Sequence, residues 1–126
     1  MLAYSTIGTN DMTKARAFYS ELLSELGAQV LFERPDGGFV GFGAAPGQPM
    51  FGIARPYDGE AASPGNGNMV AINAKDPAQV KALYDKAIEL GGTCEGEPGP
   101  RLDGSISCGY VRDLDGNKLN FFCMGS

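Results

Sequence analysis

The chain has 126 residues, 43% hydrophobic and 20% charged, the composition of one ordinary globular domain. Its net charge of −5, with no basic cluster denser than Lys14 and Arg16, argues against a nucleic-acid partner, because a phosphate backbone calls for a positive stripe. Histidine is absent, which removes the Ser-His-Asp triad, the Cys-His pair and every histidine-ligated zinc or iron site.

The apolar runs are too short to span a membrane, and the N-terminus has neither the basic nor the apolar part of a signal peptide. Three cysteines, Cys94, Cys108 and Cys123, form no C-x-x-C pair, so reduced thiols in a cytoplasmic protein are expected. A modest acidic charge serves solubility; if it bears on a ligand at all, it favours a cationic one.

Residues 2–9 alternate as a strand, with Ala3, Ser5 and Ile7 on one face and Tyr4, Thr6 and Gly8 on the other. Asn10 and Asp11 then offer an N-cap. Met12, Ala15, Phe18, Tyr19, Leu22, Leu23 and Leu26 follow at helical spacing, and Gly27 closes the helix. Strands are expected over 29–34 and 38–42, joined by Pro35-Asp36-Gly37, and a fourth over 50–54. Residues 56–68, rich in Gly, Pro, Ser and Asp, read as a linker.

The pattern then restarts. A strand over 69–74 leads to Asp76-Pro77, a cap followed by proline at the first helical position. Val80, Leu83, Tyr84, Ala87 and Ile88 make the apolar stripe, and Gly91-Gly92 ends it. A strand over 93–97, a loop over 98–104 and a closing hairpin over 108–123 complete the chain. In that hairpin Asp113-Leu114-Asp115-Gly116-Asn117 is the turn, with Gly116 and Asn117 expected at positive φ. Past it, Lys118, Asn120 and Phe122 share one face.

Subtraction exposes a repeat: Asp11 and Asp76, Phe18 and Leu83, Tyr19 and Tyr84, Leu23 and Ile88, and Gly27 and Gly92 are each 65 apart. The fold class is therefore α+β, with two tandem βαβββ modules, 1–62 and 66–126, in one domain over 1–126. Other motif matches are weak. Asp113-x-Asp115 starts like a calcium loop but places its glycine too early, and Gly65-Asn66-Gly67 precedes a strand rather than a helix.

Phe18-Tyr19 on the first helix, the doubled βαβββ pattern and Arg112-Asp113-Leu114-Asp115-Gly116-Asn117-Lys118 before the last strand resemble the glyoxalase/bleomycin-resistance/dioxygenase superfamily, also called vicinal oxygen chelate. The resemblance covers essentially the whole chain. It implies a cupped mixed sheet with helices outside, commonly in a homodimer. It also implies, in metal-dependent members, His, Glu or Gln ligands on the first and last strand of each module. Laid on this chain, those positions fall on Tyr4, Phe51, Met69 and Asn120, with Phe51 placed by matching Gly47 to Gly116.

A phenol, a thioether and an amide make a poor set for a hard divalent ion. No metal and no other cofactor are expected. The same positions suit a small organic ligand in an aromatic pocket, with Cys108, Tyr110 and Arg112 added from the strand before the last turn. The resulting expectation is a metal-free member of the resembled superfamily that binds a small organic molecule. The alternative is a diverged enzyme of lyase, isomerase or dioxygenase type using Tyr4, Cys108 or Arg112. Without histidine, such an enzyme needs a perturbed carboxylate as base, and none maps to the inner face.

Overall fold

Each helix starts at an aspartate whose side chain accepts a backbone N–H of the first turn. Asp11 accepts from Lys14 N, and Asp76 from Gln79 N. In the computed structural model, which describes all residues 1–126, the chain divides into two units, Met1–Pro64 and Gly65–Ser126.

The first unit runs β1 (Tyr4–Gly8), α1 (Met12–Ser24), β2 (Gln29–Glu33), β3 (Phe39–Gly43) and β4 (Met50–Ala54). Its sheet has the order β1-β4-β3-β2, with β1 parallel to β4 and the other pairs antiparallel. Helix α1 buries Met12, Ala15, Phe18, Tyr19, Leu22 and Leu23. The Tyr19 ring lies 4.8 Å from that of Phe51 and 6.4 Å from that of Phe42. Val40, Phe42 and Ile53 complete this core. Each large side chain so buried contributes roughly 1.5–3 kcal/mol. Gly27, at φ 71, turns the chain out of the helix.

The second unit repeats the order with β5 (Val70–Asn73), α2 (Pro77–Glu89), β6 (Thr93–Arg101), β7 (Ile106–Arg112) and β8 (Lys118–Met124). Its sheet is β5-β8-β7-β6, with β5 parallel to β8. Val80, Leu83 and Ala87 of α2 are buried, as are Val111, Leu119 and Phe121 of the sheet. The α+β class and the βαβββ order of each unit follow the sequence pattern.

Three details depart from expectation. Strand β6 does not stop at residue 97 but continues through Pro98, Gly99 and Pro100 to Arg101. It can do so because it is the edge strand, where proline's missing N–H costs no ladder bond, and two register shifts absorb the irregularity. Arg101 reinforces it by donating to the carbonyls of Glu97, Gly99 and Pro100. In the β7–β8 turn only Gly116 takes positive φ, at 87°. Asn117 serves by its side chain instead: Nδ2 donates to Asp113 Oδ2, while Asp113 Oδ1 accepts from the N–H groups of Asp115 and Asn117. The third departure concerns Phe51 and belongs to the site.

Candidate functional site

In the first unit, strand register divides the sheet into two faces. Tyr4 pairs with Met50, Thr6 with Gly52 and Gly8 with Ala54, while Phe39 pairs with Ala54 and Gly41 with Gly52. These residues share the face opposite α1. Ser5 pairs with Phe51 and Ile7 with Ile53, which places Phe51 on the helix side, where its ring meets Tyr19. Phe51 therefore does not stand beside Tyr4.

The reason is a loop length. Thr6 and Ala71 are equivalent, 65 apart, and they pair with Gly52 and Asn120 respectively. The counterpart of Asn120 is thus Gly52. Matching Gly47 to Gly116 misses it by one residue, because residues 44–49 connect β3 to β4 whereas only 113–117 connect β7 to β8. A one-residue slip along a strand moves a side chain to the other face.

Glycine on that open face gives it its shape. A Cβ on Gly52 would come within 2.6 Å of the Phe39 ring, and one on Gly41 within 3.2 Å of both Phe39 and the Met50 sulfur. Bare backbone thus lets Phe39 and Met50 lie flat across β3 and β4. Phe39 is the hub of an aromatic cluster, 5.8 Å from Tyr4 in an edge-to-face arrangement and 5.9 Å from Phe32.

Around this cluster opens a pocket of about 780 Å³, within the range of small-molecule sites. Tyr4, Phe32, Phe39 and Met50 give it apolar walls. Arg34, Arg55, Pro56 and Tyr57 also line it. Tyr4 itself is 54% exposed, so an apolar ring faces open space. Pro56 and Tyr57 come from the stretch expected as a linker, which here helps to build the pocket.

Of the site residues expected from sequence, the pocket holds Tyr4. Phe32, Arg34, Phe39, Met50, Arg55 and Tyr57 were not anticipated. A signal for part of this set exists in Phe39-x-Gly41-x-Gly43 and Met50-x-Gly52-x-Ala54. A strand face built of glycine and alanine beside one large side chain marks a surface on which neighbours lie flat.

Cys108, Tyr110, Arg112 and Asn120 lie on one face of the second unit's sheet, since Tyr110 pairs with Asn120, Cys108 with Phe122 and Arg112 with Lys118. Met69 sits just before β5 and is exposed. Arg112 is engaged by Glu95 at 2.6 Å. The Tyr110 ring has Lys118 Nζ 5.3 Å and Arg101 Cζ 5.7 Å from its centroid. A hydrogen bond with the Cys108 thiol, together with burial, pushes the Tyr110 phenol up, while Arg101 opposes the shift. Asn120 is 5% exposed, and its Oδ1 is the one buried side-chain N or O atom without a hydrogen-bond partner.

The whole chain belongs to the Glyoxalase/Bleomycin resistance protein/Dioxygenase superfamily, whose family model matches residues 2–121. It is similar to a crystal structure of a glyoxalase/bleomycin resistance protein from Albidiferax ferrireducens T118, with 32% identity, 97% of both chains covered and a TM-score of 0.86. It is 27% identical to a probable lactoylglutathione lyase of Synechocystis, over 94% of this chain and 91% of that protein. A glyoxalase I mutant from Zea mays shares the fold at 20% identity and a TM-score of 0.71, with 99% of this chain and 46% of that chain covered.

The metal implied by that superfamily does not fit the residues present. At the positions in question stand Tyr4, Gly52, Met69 and Asn120: a phenol, no side chain, a thioether and an amide. Nowhere in the chain do three Cys, Asp or Glu side chains gather in a metal-holding group. Asn120 Oδ1 offers a single neutral oxygen, and a hard divalent cation calls for carboxylates or imidazoles beside it.

Proposed function

We propose that this protein binds a small organic molecule in the aromatic pocket of its first unit and does so without a metal, in the manner of a sequestering protein. The observation that carries this reading is the open face of β1, β3 and β4, where Phe39 and Met50 lie over the bare backbone of Gly41 and the Phe39 ring meets those of Tyr4 and Phe32. Such a surface suits a planar apolar body, with Arg34, Arg55 and the Tyr4 hydroxyl to orient its polar groups. No carboxylate lines the pocket, so it offers no general base, and this favours binding over the lyase chemistry in the Synechocystis relative's name.

A thermal-shift screen of aromatic fragments, run in EDTA, tests the reading. Hits should lose about tenfold in affinity in Phe39→Ala or Tyr4→Ala, roughly 1.4 kcal/mol of aromatic contact. Hits whose affinity is the same in both variants and in the parent would show that the ligand sits elsewhere.

We also propose a homodimer. Each unit ends its sheet in two edge strands, β1 and β2 or β5 and β6, and uncovered edges invite pairing with a second copy. Light scattering at micromolar concentration should give twice 13.2 kDa; a monomer mass would refute the assembly.

A further inference from the structure

Charge around the pocket is the reverse of charge on the chain. Fifteen carboxylates outnumber ten cations overall, yet none of the fifteen lines the pocket and two of the ten do, Arg34 and Arg55. The two arginines are not equivalent. Arg34 is held by Asp36 at 2.7 Å, which offsets its charge. Arg55 forms no ion pair, and its guanidinium makes no hydrogen bond to the protein; only its backbone N–H is engaged, by the Gly38 carbonyl. Glu60 lines an adjoining hollow with Arg55 but does not pair with it. A free guanidinium fork therefore stands at the edge of an aromatic floor, and a fork of that geometry matches a carboxylate in two-point contact.

We propose that the pocket selects a small aromatic carboxylate, its ring against Phe39 and Met50 and its carboxylate on Arg55. This rests on the pocket being the binding site and adds the sign of charge the ligand carries. The chain's net −5 does not oppose it at physiological ionic strength. Charges more than about 8 Å away are largely screened, whereas a contact partner is not. Local pairing then decides, and it favours an anion rather than the cation that net charge alone suggests.

Three isosteric probes separate the possibilities: naphthylacetate, naphthylethanol and naphthylethylammonium, titrated calorimetrically at physiological ionic strength. Naphthylacetate should bind about three- to fivefold more tightly than naphthylethanol, the range of one solvent-exposed ion pair, and naphthylethylammonium most weakly. Added salt should weaken naphthylacetate alone. Arg55 is exposed, so Arg55→Gln should fold normally and bring naphthylacetate down to the naphthylethanol value. Equal affinities, a preference for the ammonium, or an anion preference that survives in Arg55→Gln would overturn the carboxylate assignment and leave the pocket as a binding site. Failure of all three probes to bind would remove the site and the assignment together.

Discussion

Gly52 decides more about the pocket than any side chain in it. A methyl at this position would meet the far edge of the Phe39 ring at 2.6 Å and the Ser5 carbonyl at 3.3 Å. The ring can swing away more cheaply than the core can shift, so Gly52→Ala should tilt Phe39 off the floor. Aromatic probe affinity should fall at least fivefold, while the melting temperature moves by no more than a few degrees. A large loss of stability with affinity kept would mean that Phe39 is not the mobile partner. Tyr84 makes a second claim at this scale. A hydrogen bond with the exposed Cys94 thiol and then burial push its phenol up to about 12. The folded chain thus holds this proton more tightly than the unfolded chain, where tyrosine titrates near ~10. Its contribution to stability is complete below pH ~10 and is lost as pH rises from there toward 12. Ultraviolet titration should show a late tyrosine phase, and Cys94→Ala should move the Tyr84 part of it back toward ~10. An unchanged late phase in that variant would assign the shift to burial and the neighbouring Glu97 and Asp85 carboxylates instead.

Among the elements, the β7–β8 turn and helix α1 show what the sequence discloses and what it hides. The turn is held by one carboxylate: Asp113, 7% exposed, accepts three hydrogen bonds from Asp115 and Asn117. Asp113→Ala should cost about 1–3 kcal/mol in urea denaturation, and Asp113→Asn less, since Oδ1 can still accept. Phe18→Ala on α1 removes a buried ring and should cost roughly 3–5 kcal/mol with little effect on ligand affinity, because Phe18 faces the core and not the pocket. If that variant lost ligand in proportion to Tyr4→Ala, core and pocket would not be separable. Helix stripes, aspartate caps and the 65-residue repeat were legible because each is a local periodicity with a physical cause, though Ile88 of the α2 stripe is exposed and Leu26 falls past the end of α1. The face of Phe51 was not, because it depends on how many residues connect β3 to β4, and turn composition does not count them. The run through Pro98 and Pro100 was hidden for a related reason: proline argues against a strand unless the strand is known to be an edge. Arg55 and Tyr57 escaped because they come from loop sequence, and only the folded first unit brings them beside Tyr4.

For the molecule as a whole, superfamily membership and the metal question separate. The fold follows its relatives closely, while the donor positions carry Tyr4, Gly52, Met69 and Asn120. Specific loading with a divalent ion would stabilise the folded chain by mass action, several kcal/mol at concentrations far above the dissociation constant. EDTA should therefore leave the melting temperature unchanged; a drop on chelation, restored by one equivalent of zinc or nickel, would contradict the donor chemistry. The most direct test of metal-free binding in the first unit uses four of the five methionines as reporters. Met50 lies in the pocket, Met12 in the core of the same unit, and Met69 and Met124 on the second unit. With methionine methyl groups labelled for NMR and EDTA present, an aromatic ligand should shift the Met50 methyl by its ring current and leave Met12, Met69 and Met124 in place. A shift that appears at Met69 instead, or one at Met50 that vanishes when metal is removed, would contradict the account.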